Sequence, residues 1–306
     1  MTGDLRTRED GQAVLITILF LTVLLGASAL TLDIGVFYRE QRQAQATADA
    51  AALAGAQALP NDTVQAKALA KQYADSNGGG VAAADITLRD DYGPHDTVVV
   101  KAKRTSDSFF SKIWDIASVD VHATAAARAD VPQQVRGAAP IVVNKLHPLL
   151  SGPGCPCFHV ETTLPLAKDG APGAFGLTDL DPDGSNGNPN IALWIKDGYD
   201  GYLDLGLYDS DPGASFNGND IRDALTARLG TELLFPVYDT LTGGGSVAQY
   251  DVIGWVAFHL DAFDLHDHGN NQTLTGYFTR VICDGLQSKA DQHFPDFGVY
   301  SVSLVK

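Results

Sequence analysis

Residues Ala13–Leu32 read AVLITILFLTVLLGASALTL, twenty residues without a charge. Only Thr17, Thr22, Ser28 and Thr31 interrupt the run with polar groups. An α-helix needs about twenty apolar residues to cross a ~30 Å hydrocarbon layer. No other stretch of the chain approaches this, so residues 13–32 are expected to form a single transmembrane helix. Residues 1–12 then form a cytoplasmic tail, and the body after residue 33 is extracytoplasmic. Charge alone does not set the orientation. Arg6 and Arg8 precede the span, Arg39 and Arg42 follow it, and the count of positive residues ties. The size and loop chemistry of the C-terminal body favour its placement outside. A cleavable signal peptide has a shorter apolar core, of roughly 7–15 residues.

The helix is expected to continue past the span. Nine of the fifteen residues from Ala44 to Ala58 are alanine, the best helix former, and the first proline after the span is Pro60. Residues 33–60 therefore read as an Ala-rich helical rod. Phe37 and Tyr38 stand where aromatic side chains favour the lipid–water boundary. The alanines and Gly55 offer a surface that another helix can approach closely. That helix could come from the same domain, from a partner, or from a second copy of the chain.

The segment Asp10–Leu59 resembles the N-terminal module of the TadE/TadG-like proteins of the Flp (tight adherence) pilus assembly system. The elements that match are Gly11-Gln12, the apolar span, Asp33-Ile34-Gly35, Tyr38-Arg39, and Gln45 through Ala56 (QATADAAALAGA). The resemblance implies a bacterial envelope protein, anchored once, whose body serves pilus assembly or anchoring. It also implies other pilus-assembly or envelope proteins as partners, with membrane lipid around the span. Many family members carry a von Willebrand-type domain with an Asp-x-Ser-x-Ser metal-ion motif. No such string occurs here, so that adhesive function is not implied.

The exported body reads as two parts. Residues 61–130 suggest a small α+β domain, in the order α-β-β-α-β. Asp62 or Asn61 caps a first helix that Gly78-Gly79-Gly80 ends. Strands follow near Asp85–Arg89 and at Thr97–Arg104, then a short helix at Ser106–Ile116 with Phe109 and Phe110 inward, and a strand at Val119–Arg128. Residues 131–138 read as a linker. Residues 139–306 alternate short apolar strands with turns dense in Gly, Pro, Asp and Asn, which suggests a β-rich domain, sandwich or barrel-like. Expected strands are Ala139–Val143, Val160–Leu164, Leu233–Tyr238, Tyr250–Leu260, Leu274–Ile282 and Tyr300–Val305. Asn190–Lys196 and Ile221–Leu229 look helical.

A formal charge of −16 over 306 residues disfavours nucleic acid as a partner, because phosphates repel it. Three cysteines, Cys155, Cys157 and Cys283, make one disulfide plus a free thiol an expectation. A bridge from Cys155 or Cys157 to Cys283 is weighed against buried thiols, the Cys155–Cys157 link being short and stiffened by Pro156. With His159, and Cys283 or His147, the two cysteines also outline an alternative zinc set. Asp179, Asp181 and Asp183, followed by Gly184, have the alternating carboxylates of a calcium loop, but Asn190 stands where an EF-hand carries its bidentate Glu. Calcium is thus a candidate ligand and no other cofactor is indicated. Asp264, His266, Asp267 and His268 sit beside a turn by composition. Motifs of serine nucleophiles, zinc proteases and phosphate loops are absent, and no enzymatic role is expected. The reading is a membrane-anchored structural or assembly protein of a Tad (Flp) pilus-like machine. The alternative is a cell-surface binding module for calcium or glycan on a membrane anchor.

Overall fold

The computed structural model describes residues 9–166, 176–181, 188–210, 216, 218–243, 248–265, 272–287 and 294–305. The chain divides into two compact units, residues 1–128 with 304–306, and residues 129–303.

The first unit is built on α1 (Glu9–Ala56), a helix of 48 residues, about 72 Å long at 1.5 Å per residue. Among the described residues its apolar half is almost uncovered, Ala29 alone being buried between Gln12 and Leu32. The large apolar side chains from Val14 to Leu32 are 48–65% exposed, and the four hydroxyls bond back to carbonyls one turn earlier, as Thr17 does to Ala13 at 2.8 Å. The helix therefore presents no unpaired hydroxyl to its surroundings along this run.

Past residue 40 the same helix becomes a core element. Helix α2 (Thr63–Ser76) starts where Asp62 accepts the N–H groups of Val64 and Gln65 at 3.0 and 2.8 Å. It buries Ala66, Ala70 and Ala74 against a face of α1 whose Ala44, Ala48, Ala51 and Ala52 are fully buried. Strands β1 (Ile86–Arg89), β2 (Thr97–Asp107) and β3 (Ser118–Asp130) form an antiparallel meander. Its Val98 and Val100 are fully buried. Small residues are required at the crossing: a Cβ on Gly55 would lie 2.9 Å from the Ala66 carbonyl oxygen, 3.0 Å from Ala70 Cβ and 3.3 Å from Val98 Cγ1. Of the three neighbours the sequence allowed for the alanine surface, it is the same domain that supplies the cover, through α2 and β2 of its own unit. Gly55→Leu is expected to cost roughly 1–3 kcal/mol through overpacking, with Gly55→Ala milder. Thermal melts of the two variants check this, and an unchanged melt for Gly55→Leu contradicts the crossing.

The second unit contains β4 (Pro132–Val135), β5 (Ile141–Asn144), α3 (Pro148–Ser151), β6 (Glu161–Pro165), β7 (Gly176–Leu177), α4 (Asn188–Asp197), β8 (Gly206–Asp209) and α5 (Asn219–Ala227). Next come β9 (Glu232–Thr242), β10 (Gln249–Asp264), β11 (Thr273–Thr279), β12 (Val281–Ile282), β13 (Gly285–Gln287) and β14 (Val299–Val305). The main sheet runs β6-β11-β10-β9-β5-β7. The long β10 pairs along one edge with β9, and along the other with β11 and then β8. Register shifts at Tyr250/Val252, Val252/Gly254 and Leu260/Ala262 are bulges, and bulges bend a strand. The unit is β-rich with curled sheets, a half-barrel. Its core holds Trp255, Phe235, Phe258 and Phe278, with Ile191, Ile195 and Ile221 from the two longer helices, all under 2% exposed.

Two local expectations are corrected. Residues 131–138 are not a free linker: β4 pairs antiparallel with β13, and Val135 and Ala138 are fully buried. Proline and glycine there mark strand ends rather than loose chain. Residues 106–116 do not form a helix but continue β2 to Asp107, with one 3-10 turn at Ser111–Trp114. The reason lies outside the segment, in a carboxylate on α1.

Candidate functional site at the exit of the apolar helix

Asp33 is the first charged residue after the apolar run, and it is 1% exposed. Its carboxylate receives the tip of the β2–β3 hairpin. Phe109 N donates to Oδ1 at 2.9 Å, and Phe110 N lies 3.2 and 3.1 Å from Oδ1 and Oδ2. Ser111 donates twice to Oδ2, through N at 2.7 Å and Oγ at 2.6 Å. Three consecutive backbone N–H groups and one hydroxyl thus converge on one anion, as oriented amides do in anion-binding turns. The Ser111 hydroxyl, followed by the three amides, holds the Asp33 carboxyl at about 2, against an ordinary 3.8. The group stays ionised across the physiological pH range, so protonation does not release the clamp there.

Further contacts run up the helix from this point. Arg104 Nε donates to Glu40 Oε2 at 3.0 Å, and Arg104 Nη1 to the Gly78 carbonyl at 2.9 Å. The Arg104 hydrogen bond draws the Glu40 carboxyl below its usual range. Gln41 Nε2 donates to the His122 carbonyl at 2.7 Å. Thr47 Oγ1 lies 2.6 Å from the Asn77 carbonyl. At the far end Gly55 meets Val98. The order along α1 (33, 40, 55) is the reverse of that along β2 and the tip that follows it (110, 104, 98). The hairpin therefore lies antiparallel to the helix with its tip toward the apolar half. Between Glu40 and Gly55 the helix rises about 22 Å, and six residues of β2 rise about 20 Å, so the two elements stay in step.

The sequence singled out Asp33-Ile34-Gly35 by resemblance and gave Asp33 no role. A lone carboxylate directly after an apolar span was the available signal. Its partners are 76 to 78 residues away, beyond the reach of local pattern.

The other candidates fare differently. Cys155 and Cys157 are bonded to each other, with Cα atoms 4.5 Å apart, and Cys283 is a half-buried free thiol. The long-range bridge to Cys283 is therefore corrected. The segment is folded back rather than extended, since Cys155 N bonds to the Gly152 carbonyl and Cys157 N to that of Leu149. This puts the Cα atoms within disulfide range. Burial pushes the Cys283 thiol up to about 12. Sulfurs held in a disulfide are not thiolate ligands, which removes the zinc set. His147 instead accepts Leu149 N at its Nδ1, 3.2 Å away, and packs edge-on against Phe278. Asp179 is buried and its Oδ1 accepts the Asp181 N–H at 2.9 Å, while Asp183 lies outside the described residues, as do His266, Asp267 and His268. Among the described residues no three His, Cys, Asp or Glu side chains are grouped to hold a metal ion. The second unit also has a cavity of about 660 Å³, whose lining includes Leu150, Phe294 and Phe297 beside Asp251 and the Lys145–Asp239 ion pair.

These features define a class: among the described residues, one helix long and apolar enough to cross a membrane, joined where its apolar run ends to a hairpin of its own unit by a buried carboxylate. Residues 11–58 match the model of the family described as Flp pilus-assembly TadE/G-like. The match covers α1 from its apolar start to the Gly55 crossing and includes Asp33; the β2–β3 hairpin and the second unit lie outside it. No curated protein and no solved structure matches the chain.

Proposed function

We propose that this protein is a non-catalytic, single-span envelope protein that holds its first unit rigidly at the membrane, and through it carries the rest of the chain, for a Tad (Flp) pilus-like machine. The Asp33 clamp is the observation that carries this reading. A flexible tether would need no buried ionic joint at the point where the helix leaves the apolar layer. Here the span, the Ala-packed helix pair and the hairpin are fixed to one another, so a load on the first unit reaches the span without a hinge. The family match of residues 11–58 supports pilus assembly as the setting, with other pilus or envelope proteins as partners.

The reading places residues 1–12 in the cytoplasm and the body outside. In cells, the full chain is expected in the membrane fraction after alkaline carbonate washing, and deletion of residues 13–32 is expected to release it. Protease added outside should digest the body and spare an N-terminal tag. Crosslinking in pilus-expressing cells should recover pilus components with the full chain. Recovery in the carbonate-soluble fraction sinks the anchor; an anchored chain with no pilus component attached sinks the setting alone.

A second reading is a binding role for the exported body. The cavity beside Lys145, Asp239 and Asp251 supports it, being of the size that small ligands occupy. Calcium at Asp179, Asp181 and Asp183 belongs to the same reading. Titration of the full chain with calcium and with glycans, read by calorimetry, tests both, and absence of heat from every titrant ends them.

A further inference from the structure

We propose that the β2–β3 tip, residues 109–116, is a second membrane contact that lies in the headgroup layer beside the span. This rests on the anchoring proposed above. The first argument is position. Asp33 follows Leu32, the last residue of the apolar run, and the backbone nitrogens of Phe109, Phe110 and Ser111 are held 2.7–3.2 Å from its carboxylate. Each interfacial layer of a bilayer is roughly 5–8 Å deep. A loop bonded to a residue at the hydrocarbon edge is therefore placed inside that layer.

The second argument is chemistry. Phe109 is 76% exposed and Ile116 48%, on the same short turn as an exposed Lys112. Aromatic and apolar groups set among charged side chains, here Lys112 and the likewise exposed Asp115, suit the boundary between acyl chains and headgroups. The turn also satisfies its own backbone: Ser108 N bonds to the Ala117 carbonyl at 3.0 Å, Asp115 N to Lys112 at 3.1 Å and Ile116 N to Ser111 at 3.2 Å. With the 109–111 amides on Asp33, six backbone donors of the tip are paired before it meets a poorly hydrated layer, where an unpaired polar group is costly. The tip is bonded to the residue that directly follows the exposed apolar run, so lipid around that run is the occupant within reach of Phe109. An arm clamped at Asp33 and resting on the membrane would fix the tilt of the first unit as well as its distance.

Full-length protein in phospholipid vesicles tests this with an environment-sensitive NBD label at one of three exposed positions, Leu21→Cys, Val64→Cys or Phe109→Cys, each with Cys283→Ser. Leu21 lies mid-span, and Val64, on α2, is 79% exposed. The label at position 109 is expected to emit to the blue of that at position 64. It should lose the larger part of its emission to lipids brominated near the headgroup end of the acyl chain, and less to lipids brominated near the tail end. The label at 21 should show the opposite depth preference, and that at 64 no quenching. If 21 is quenched and 109 behaves like 64, the anchor stands and the tip contact is wrong. A blue-shifted label at 109 that bromolipids do not quench means that protein covers the tip, which also overturns the proposal. No quenching at 21 removes the anchor, and the tip contact falls with it. A second variant, Phe109→Glu, is expected to shift the label at Ile116→Cys to the red and to weaken its quenching without changing that at 21; an unaltered signal at 116 counts against the contact.

Discussion

Asp33→Ala is expected to free the β2–β3 tip from the helix while the strands stay folded. The substitution leaves the amides of Phe109, Phe110 and Ser111 without the oxygens they now share, and unpaired donors favour local opening. Chymotrypsin cleavage after Phe109 or Phe110 should then accelerate roughly tenfold or more. Asp75→Ala, on the exposed face of α2, should leave it unchanged. Asp33→Asn should resemble alanine more than aspartate. Whichever way the amide turns, its NH2 faces an N–H donor, because both carboxylate oxygens accept from the turn. Equal cleavage rates in wild type and Asp33→Ala would show that the clamp does not hold the tip. The pH dependence has a fixed sign. The folded carboxyl titrates at about 2, below its ordinary 3.8, so its contribution is complete above about pH 4 and is lost as pH falls toward 2. Cleavage of the tip by pepsin should therefore rise more steeply across that window in wild type than in Asp33→Ala, which has no clamp left to lose. A parallel rise in both would assign the change to other groups.

Phe258→Ala is the other substitution with a large expected effect. The ring is fully buried on β10, stacked on Phe235 with centroids 5.8 Å apart and edge-on to Phe278 at 5.4 Å. It thus joins β9, β10 and β11 in the middle of the main sheet. Removing such a ring costs ~3–5 kcal/mol, against a whole-domain stability of ~5–15 kcal/mol. The melting transition of the second unit should fall by roughly 6–20 °C. The Asp33 clamp belongs to the other unit, so chymotrypsin cleavage at the tip under native conditions should not change. A melting shift below about 2 °C would place the Phe258 ring outside the core.

The regular elements were legible because their signals are local. The span follows from twenty consecutive apolar residues, α2 from Asp62 and the glycines at 78–80, and the strands from β-branched or alternating runs. Val98 to Val100 lie in β2 as read, and Ala123, Ala125 and Ala127 share the inner face of β3. What failed was each reading that assumed a segment acts alone. Residues 106–116 have helical content by pattern, yet three of their amides bond to Asp33 instead of to carbonyls one turn back. Residues 131–138 have the composition of a loop, yet β13 supplies a partner that turns part of them into strand. The small edge strands β7, β8 and β13 carry no pattern of their own and exist because longer strands offer open edges.

The candidate site divides along the same line. By itself the sequence determined that one helix can span a membrane, where it ends, and that it carries the TadE/G-like module, since length, hydropathy and short motifs are properties of contiguous residues. Only the tertiary structure decided that the alanine face is already occupied, that Cys155 pairs with Cys157, and that Asp33 joins the apolar helix to the β2–β3 hairpin. The physical reason is that a buried carboxylate, a small-residue crossing and a disulfide each depend on which atoms come within a few ångströms of one another. For Asp33 those atoms are more than seventy residues away along the chain.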